Sequence, residues 1–270
     1  MTSMSLRNEI GSELVRTRRR GVLGAWLGLT GALAALINTV MFSVAASANG
    51  APANGPGVDF PSLAALLSPD GLTAGVASAS SLLGVVTLAF WSLLTASDYN
   101  TGLVRLLVAA QPRRWRLLAG KVTALTLWTA VVAFTAIVVN LAVAPASAHA
   151  AGLSTAAWTS AGLVDIVVAW ANLFSALLAW GVIGLALATV TRSAAVAISV
   201  GVGYVLLLEG VLASVLDSVA NVLPGSVLTA LAQGGTNALS AWSAVGLGLL
   251  YATIAIGVSL AAVQRRDVTD

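Results

Sequence analysis

Apolar residues fill the chain in long runs, and what punctuates them is basic. The 13 Lys and Arg residues form four groups: Arg7 to Arg20, Arg105 to Lys121, Arg192 alone, and Arg265 with Arg266. Residues 21 to 104, 122 to 191 and 193 to 264 carry neither Lys nor Arg. A bilayer crossing takes about 20 apolar residues, so each of these mostly apolar gaps accommodates two crossings and a connecting loop. An odd number of crossings per gap would place successive basic groups on opposite sides. Because Lys and Arg collect on the cytoplasmic side, the pattern predicts six transmembrane helices with both termini cytoplasmic.

The expected spans are residues 22 to 46, 76 to 97, 122 to 144, 162 to 190, 194 to 215 and 242 to 263. Asn49 to Asp70 carries Pro52, Pro56, Pro61 and Pro69, which suits an external loop. Ala146 to Ser160 is expected to be a second, shorter loop. Leu216 to Ala241 remains apolar but is interrupted by Asp217, Asn221, Pro224, Gly225, Gly234 and Gly235. It reads as short re-entrant helices between the fifth and sixth spans, where surrounding protein can bury a broken backbone. Ahead of the first span, Ser5 to Arg20 sets Leu6, Ile10, Leu14 and Thr17 at helical spacing. Arg7, Glu9, Glu13, Arg16 and Arg18 surround that stripe, predicting an amphipathic helix on the membrane surface. The first apolar run, followed by Ala46-Ser47-Ala48, has features of a secretory signal, but at about 25 residues it exceeds the 7 to 15 of a signal core and is read as a retained helix. The whole chain, 1-270, is expected to be one transmembrane domain of all-α class.

Composition agrees. With 58% apolar and 9% charged residues, against roughly 25% charged in soluble domains, the chain is no water-soluble globule. It has no cysteine and one histidine, His149, which removes disulfide frameworks, thiolate or multi-histidine metal centres and Cys-His nucleophiles. The net charge of +3 is explained by membrane orientation. No aromatic platform accompanies Arg18-Arg19-Arg20, so nucleic acid is not an expected partner.

The polar residues inside the spans are the candidates for a translocation path. An ionised carboxylate at mid-bilayer costs about 2.5 to 3.5 kcal/mol on insertion scales. Glu209 lies 15 residues beyond Ala194, about 22 Å along a helix, in the outer third of the core. It is expected either to bond a neighbouring helix or to face an outward path. Asn38, Asn140 and Asn172 are amides for interhelical bonds, with Asn38 and Asn172 also candidate path residues. Asp165 falls at the outer mouth of the fourth span. Trp91, Trp115, Trp128, Trp158 and Trp242 fall near expected interfaces and fit an aromatic belt. Gly24, Gly28 and Gly31 offer a surface for close helix approach.

The segment from Asp98 to Lys121 carries the densest signal. It reads as two short helices: Leu103, Leu106, Leu107 and Ala110 share one face of the first, Pro112 stops it, and the second runs from Arg113 into the third span. An acidic residue and Tyr, then Gly, an Arg, a Pro-Arg-Arg cluster and a closing Gly-Lys resemble the loop between the second and third helices of ABC type-2 exporter permeases, particularly small actinobacterial ones. Asp98, Tyr99, Gly102, Arg105, Pro112, Arg113, Arg114 and Lys121 carry the resemblance, with Asp98 where Glu is common, and Arg265-Arg266-Asp267 is similar to that family's tail. The resemblance implies a cell-membrane transport subunit that pairs with a second permease protomer, identical or homologous. It also implies two ABC ATPase subunits, gripping those eight residues as a coupling element, and an amphipathic or hydrophobic cargo such as a drug, peptide or lipid. ATP and Mg would be bound by the partner ATPase. This chain has no G-x-x-x-x-G-K-[ST] phosphate loop, since Gly120-Lys121 is followed by Val122.

The same residues bear on two other classes. An intramembrane serine protease needs a buried Ser and His pair, and His149 falls in an expected external loop. An ion-gradient-coupled carrier needs ionisable groups near the midplane, for which Glu209 alone is available. That carrier, or a non-transporting scaffold, stays open as the alternative.

Overall fold

The computed structural model describes residues 6–17, 20–47, 54–55, 58–102, 114–215 and 220–265. The chain folds as an all-α membrane protein. In chain order its helices are α1 (Leu6–Thr17), α2 (Arg20–Ala45), α3 (Leu63–Leu66), α4 (Gly71–Ser78), α5 (Ser80–Asn100), α6 (Arg114–Ala150), α7 (Leu163–Thr191), α8 (Ala194–Gly203), α9 (Glu209–Val215), α10 (Pro224–Ala232) and α11 (Ala241–Arg265). A 3-10 turn, Ala156–Ser160, precedes α7, and a π-helical turn, Tyr204–Leu208, joins α8 to α9. A two-residue antiparallel pairing of Asn54–Gly55 with Val58–Asp59 lies in the Pro-rich segment.

Among the described residues five helices are long and apolar enough to cross a bilayer: Gly21–Ala45 of α2, α5, α6, α7 and Ala241–Gln264 of α11. The expected span from 194 to 215 is helical over its whole length but composite, ten residues of α8, the π turn, then α9. Ser193 starts it, its hydroxyl accepting from the Val196 N–H, while Arg192, at φ 54°, ends α7 in the left-handed conformation.

The expected second span is divided: α4 ends at Ser78 and α5 begins at Ser80. The third is longer than expected. Its helix starts at Arg114 and runs through Pro145 to Ala150, so Ala146 to Ala150 is helix where a loop was expected. Packing outweighs the proline there, because Ala144 and Ala148 are buried against Met41, Phe42, Leu66 and Trp158.

α7 is the centre of the bundle, packed against α5, α6, α8, α10 and α11. Small residues bring α5 and α7 together. A Cβ at Gly84 would run into the Trp180 ring and one at Gly181 into the Trp91 ring, so each indole fills the space left by a glycine on the facing helix. The Ser92 hydroxyl donates to the Gly184 carbonyl at 3.0 Å along the same seam. Trp91 therefore belongs to the core, fully buried and donating to Thr129 Oγ1 at 3.0 Å, which corrects its placement in an interfacial belt. Trp158 is also buried, its indole N–H on the Leu66 carbonyl, whereas Trp115 and Trp242 are exposed as a belt requires. Gly24 and Gly28 face open space rather than another helix of the chain.

Candidate functional site

The bundle has two ends. Asp98, Arg114 and Arg192 mark the basic end, and α3, α4 and the 3-10 turn form the Pro-rich end.

At the basic end, α5 finishes with Asp98 and Tyr99, and Gly102 (φ 68°) follows in a left-handed conformation suited to glycine. Asp98 forms an ion pair with Lys121, which is buried on α6. Arg114, the first residue of α6, donates to the Val263 carbonyl at 3.0 Å and ties the start of α6 to the end of α11. The Arg192 guanidinium stands 6.0 Å from the centre of the Tyr99 ring, within cation–π range. Of the eight residues expected to couple to an ATPase, Asp98, Tyr99, Gly102, Arg114 and Lys121 are thus drawn to one end of the bundle. Arg105, Pro112 and Arg113 lie outside the described residues.

α1 supplies the residue that sequence reasoning misplaced. Glu13, expected on the polar face, is 4% exposed and paired with Arg16. Burial pushes its carboxyl above the ordinary value of 4.5, opposed by the positive charges of Lys121 and Arg16. Thr17 fixes the adjoining turn: its hydroxyl donates to the Glu13 carbonyl at 2.8 Å and accepts from the Trp128 indole at 3.1 Å. Glu13 lies three residues after Ile10 and four before Thr17, so its place on the same face of α1 was readable from spacing. Glu13, Thr95, Asp98, Arg114, Lys121, Thr189 and Val263 line a cavity of about 60 Å³. Five helices, α1, α5, α6, α7 and α11, meet around it.

The path candidates do not converge. Asn38 and Asn140 are both fully buried and bonded to each other, Asn38 Nδ2 donating to Asn140 Oδ1 at 2.9 Å. Asn140 in turn donates to the Leu72 carbonyl at 2.7 Å, locking α2, α4 and α6 together, and a Cβ at Gly75 would strike the Asn38 amide. Asn172 lines a cavity of about 150 Å³ with Asp70, Thr73, Asp165 and Gln233 at the Pro-rich end. Asp165 also accepts from the Gly162 N–H at 2.8 Å and caps α7.

Glu209 is 7% exposed and turned onto the start of α10. Its carboxylate accepts from the backbone N–H groups of Gly225 (2.9 Å) and Ser226 (2.6 Å) and from the Ser226 hydroxyl (3.1 Å). Leu223, the cap residue by position, offers no side-chain acceptor, and Pro224 occupies the first helical position. Glu209 therefore does from another helix what an N-cap side chain does locally, satisfying orphan donors where the helix dipole favours a negative charge. Glu209 thus bonds a neighbouring helix.

The chain matches no family model, and no curated protein matches it.

Proposed function

We propose that the chain is the membrane-spanning permease subunit of an ATP-binding-cassette exporter, with six spans, both termini cytoplasmic, and the basic end facing a separate ATPase. The composite helix α8, π turn and α9 serves as the fifth of the six spans. The observation that carries the reading is the meeting of α1, α5, α6, α7 and α11 around Glu13, Asp98 and Lys121, beside the Asp98 to Lys121 segment. A motor that moves that segment would move the ends of five helices at once. Transport then follows if the nucleotide-bound motor prefers one helix arrangement over the other, the requirement for any coupled switch.

The partners in this reading are ABC ATPase subunits, which hold ATP and Mg, and a second permease protomer. The test is co-purification: a Walker-motif ATPase should accompany the intact chain and be lost when residues 98 to 116 are altered. Asp98→Ala, or charge reversal at Arg113 and Arg114, should leave hydrolysis running without transport in reconstituted vesicles. Normal coupled transport by these variants would refute the role of the segment. Transport driven by an ion gradient, with no ATPase present, would establish the carrier instead.

A further inference from the structure

α10 is a short helix in an unusual place. Its nine residues sit among α4, α5, α7 and α11, and Val227 and Leu228 are fully buried, yet it crosses no bilayer. Three attachments hold it. Glu209 grips its first turn; the Thr229 hydroxyl meets Ser81 of α5 at 2.6 Å; and its last turn closes on two glycines. There Gly234 N–H donates to the Leu231 carbonyl at 3.2 Å and Gly235 N–H to the Ala230 carbonyl at 2.8 Å, with φ of 73° and 110°. This is a Schellman closure, which leaves a glycine pair as the joint to α11. Gln233, next to that joint, lines both cavities of the Pro-rich end, of about 150 and 480 Å³.

The grip at the other end stands on a π turn. Tyr204–Leu208 carries one residue more per turn than an α-helix would, and Glu209 is the residue that follows it. Conversion of that turn to α-helix would shift the register by one residue and swing Glu209 by about 100° around its axis, away from the amides of Gly225 and Ser226. Gly225 has no room for a side chain, because a Cβ there would occupy the space of the Glu209 carboxylate.

We infer that α10 is a movable element, hinged at Gly234 and Gly235 beside the two cavities of the Pro-rich end and latched at its first turn by Glu209, with the 204 to 208 π turn as the release. Calling it a gate rests on the permease reading, but the latch itself is tested on the isolated chain, without ATP or partner. Failure of the latch therefore leaves that reading standing, and loss of the ATPase partner leaves the latch standing.

The chain contains no cysteine, so single reporters are clean. V227C reports on α10 and A133C, fully buried in α6, on the rest of the bundle. The measurement is the rate of modification by a water-soluble maleimide. Glu209→Ala should speed V227C at least tenfold while A133C stays slow. Gly225→Ala makes the sharper case, since alanine favours a helix over glycine but here displaces the carboxylate. It should also speed V227C. If α10 is held by packing alone, Gly225→Ala leaves that rate unchanged or slower, and the latch is overturned. Should Glu209→Ala loosen both reporters together, Gly225→Ala decides: a rise confined to V227C upholds the latch, and any other result removes it.

Discussion

Both ends of the bundle bury carboxylates, and they neutralise them differently. At the basic end Asp98 and Glu13 are met by the side chains of Lys121 and Arg16. At the Pro-rich end Glu209 is met by backbone amides and hydroxyls. The Asp98–Lys121 pair joins α5 to α6, two elements that can shift relative to one another, while Glu13–Arg16 stays within α1; a carboxylate on a helix start fixes one orientation or none. The first arrangement suits a region that passes on a displacement. The second suits a two-position contact.

The comparison is broken most forcefully at Lys121. Removing one partner of a buried pair costs about 3 to 5 kcal/mol, and the fifth of the Asp98 side chain left exposed brings the expectation for Lys121→Met to about 2 to 3 kcal/mol. Adding Asp98→Leu should recover part of that loss in thermal unfolding in detergent. No recovery would mean that Lys121 acts through something other than Asp98. At the seam that both ends share, Gly181→Ala forces a methyl group against Trp91 and should destabilise by about 1 to 3 kcal/mol. Gly24→Ala, facing open space, serves as the matched control and should not destabilise.

Smaller effects sharpen the contrast. Glu13 is raised by burial, so the folded state holds its proton more tightly than the unfolded state does. Its contribution is full below the ordinary value of 4.5 and is lost as pH rises from there through the raised folded value. The difference in melting temperature between the parent and Glu13→Gln should therefore move against the parent across that window. A flat difference would show that Glu13 is not desolvated. Asn38→Ala should cost least, about 0.6 to 1.7 kcal/mol, because Asn140 keeps its bond to the Leu72 carbonyl.

Charge spacing made most of the helices legible, since a bilayer length and a basic boundary are one-dimensional quantities. α2, α7, α8 with α9, and α11 fall within a few residues of expectation. Ala146 to Ala150 was misread as loop because what holds it helical, the packing of Ala144 and Ala148 against Trp158, is not a local signal. Trp91 was misread for the same reason: its depth depends on Gly181, 90 residues away. At the candidate site, Asp98 and Lys121 could be named from the sequence but their pairing could not. Glu13 was given the wrong face of α1, and nothing in one sequence says that Glu209 will find Gly225 and Ser226 rather than an open path.

Sidedness bears on the whole proposal most directly. Single cysteines replacing Arg114 and Arg192, compared with Ser68 and Ser240 at the other end, can be probed in intact cells with a membrane-impermeant maleimide. Ser68→Cys and Ser240→Cys should react from outside, and Arg114→Cys and Arg192→Cys only after the membrane is opened. Reaction of the Arg114 or Arg192 position in sealed cells would put the basic end outside, beyond the reach of a cytoplasmic ATPase, and contradict the permease reading.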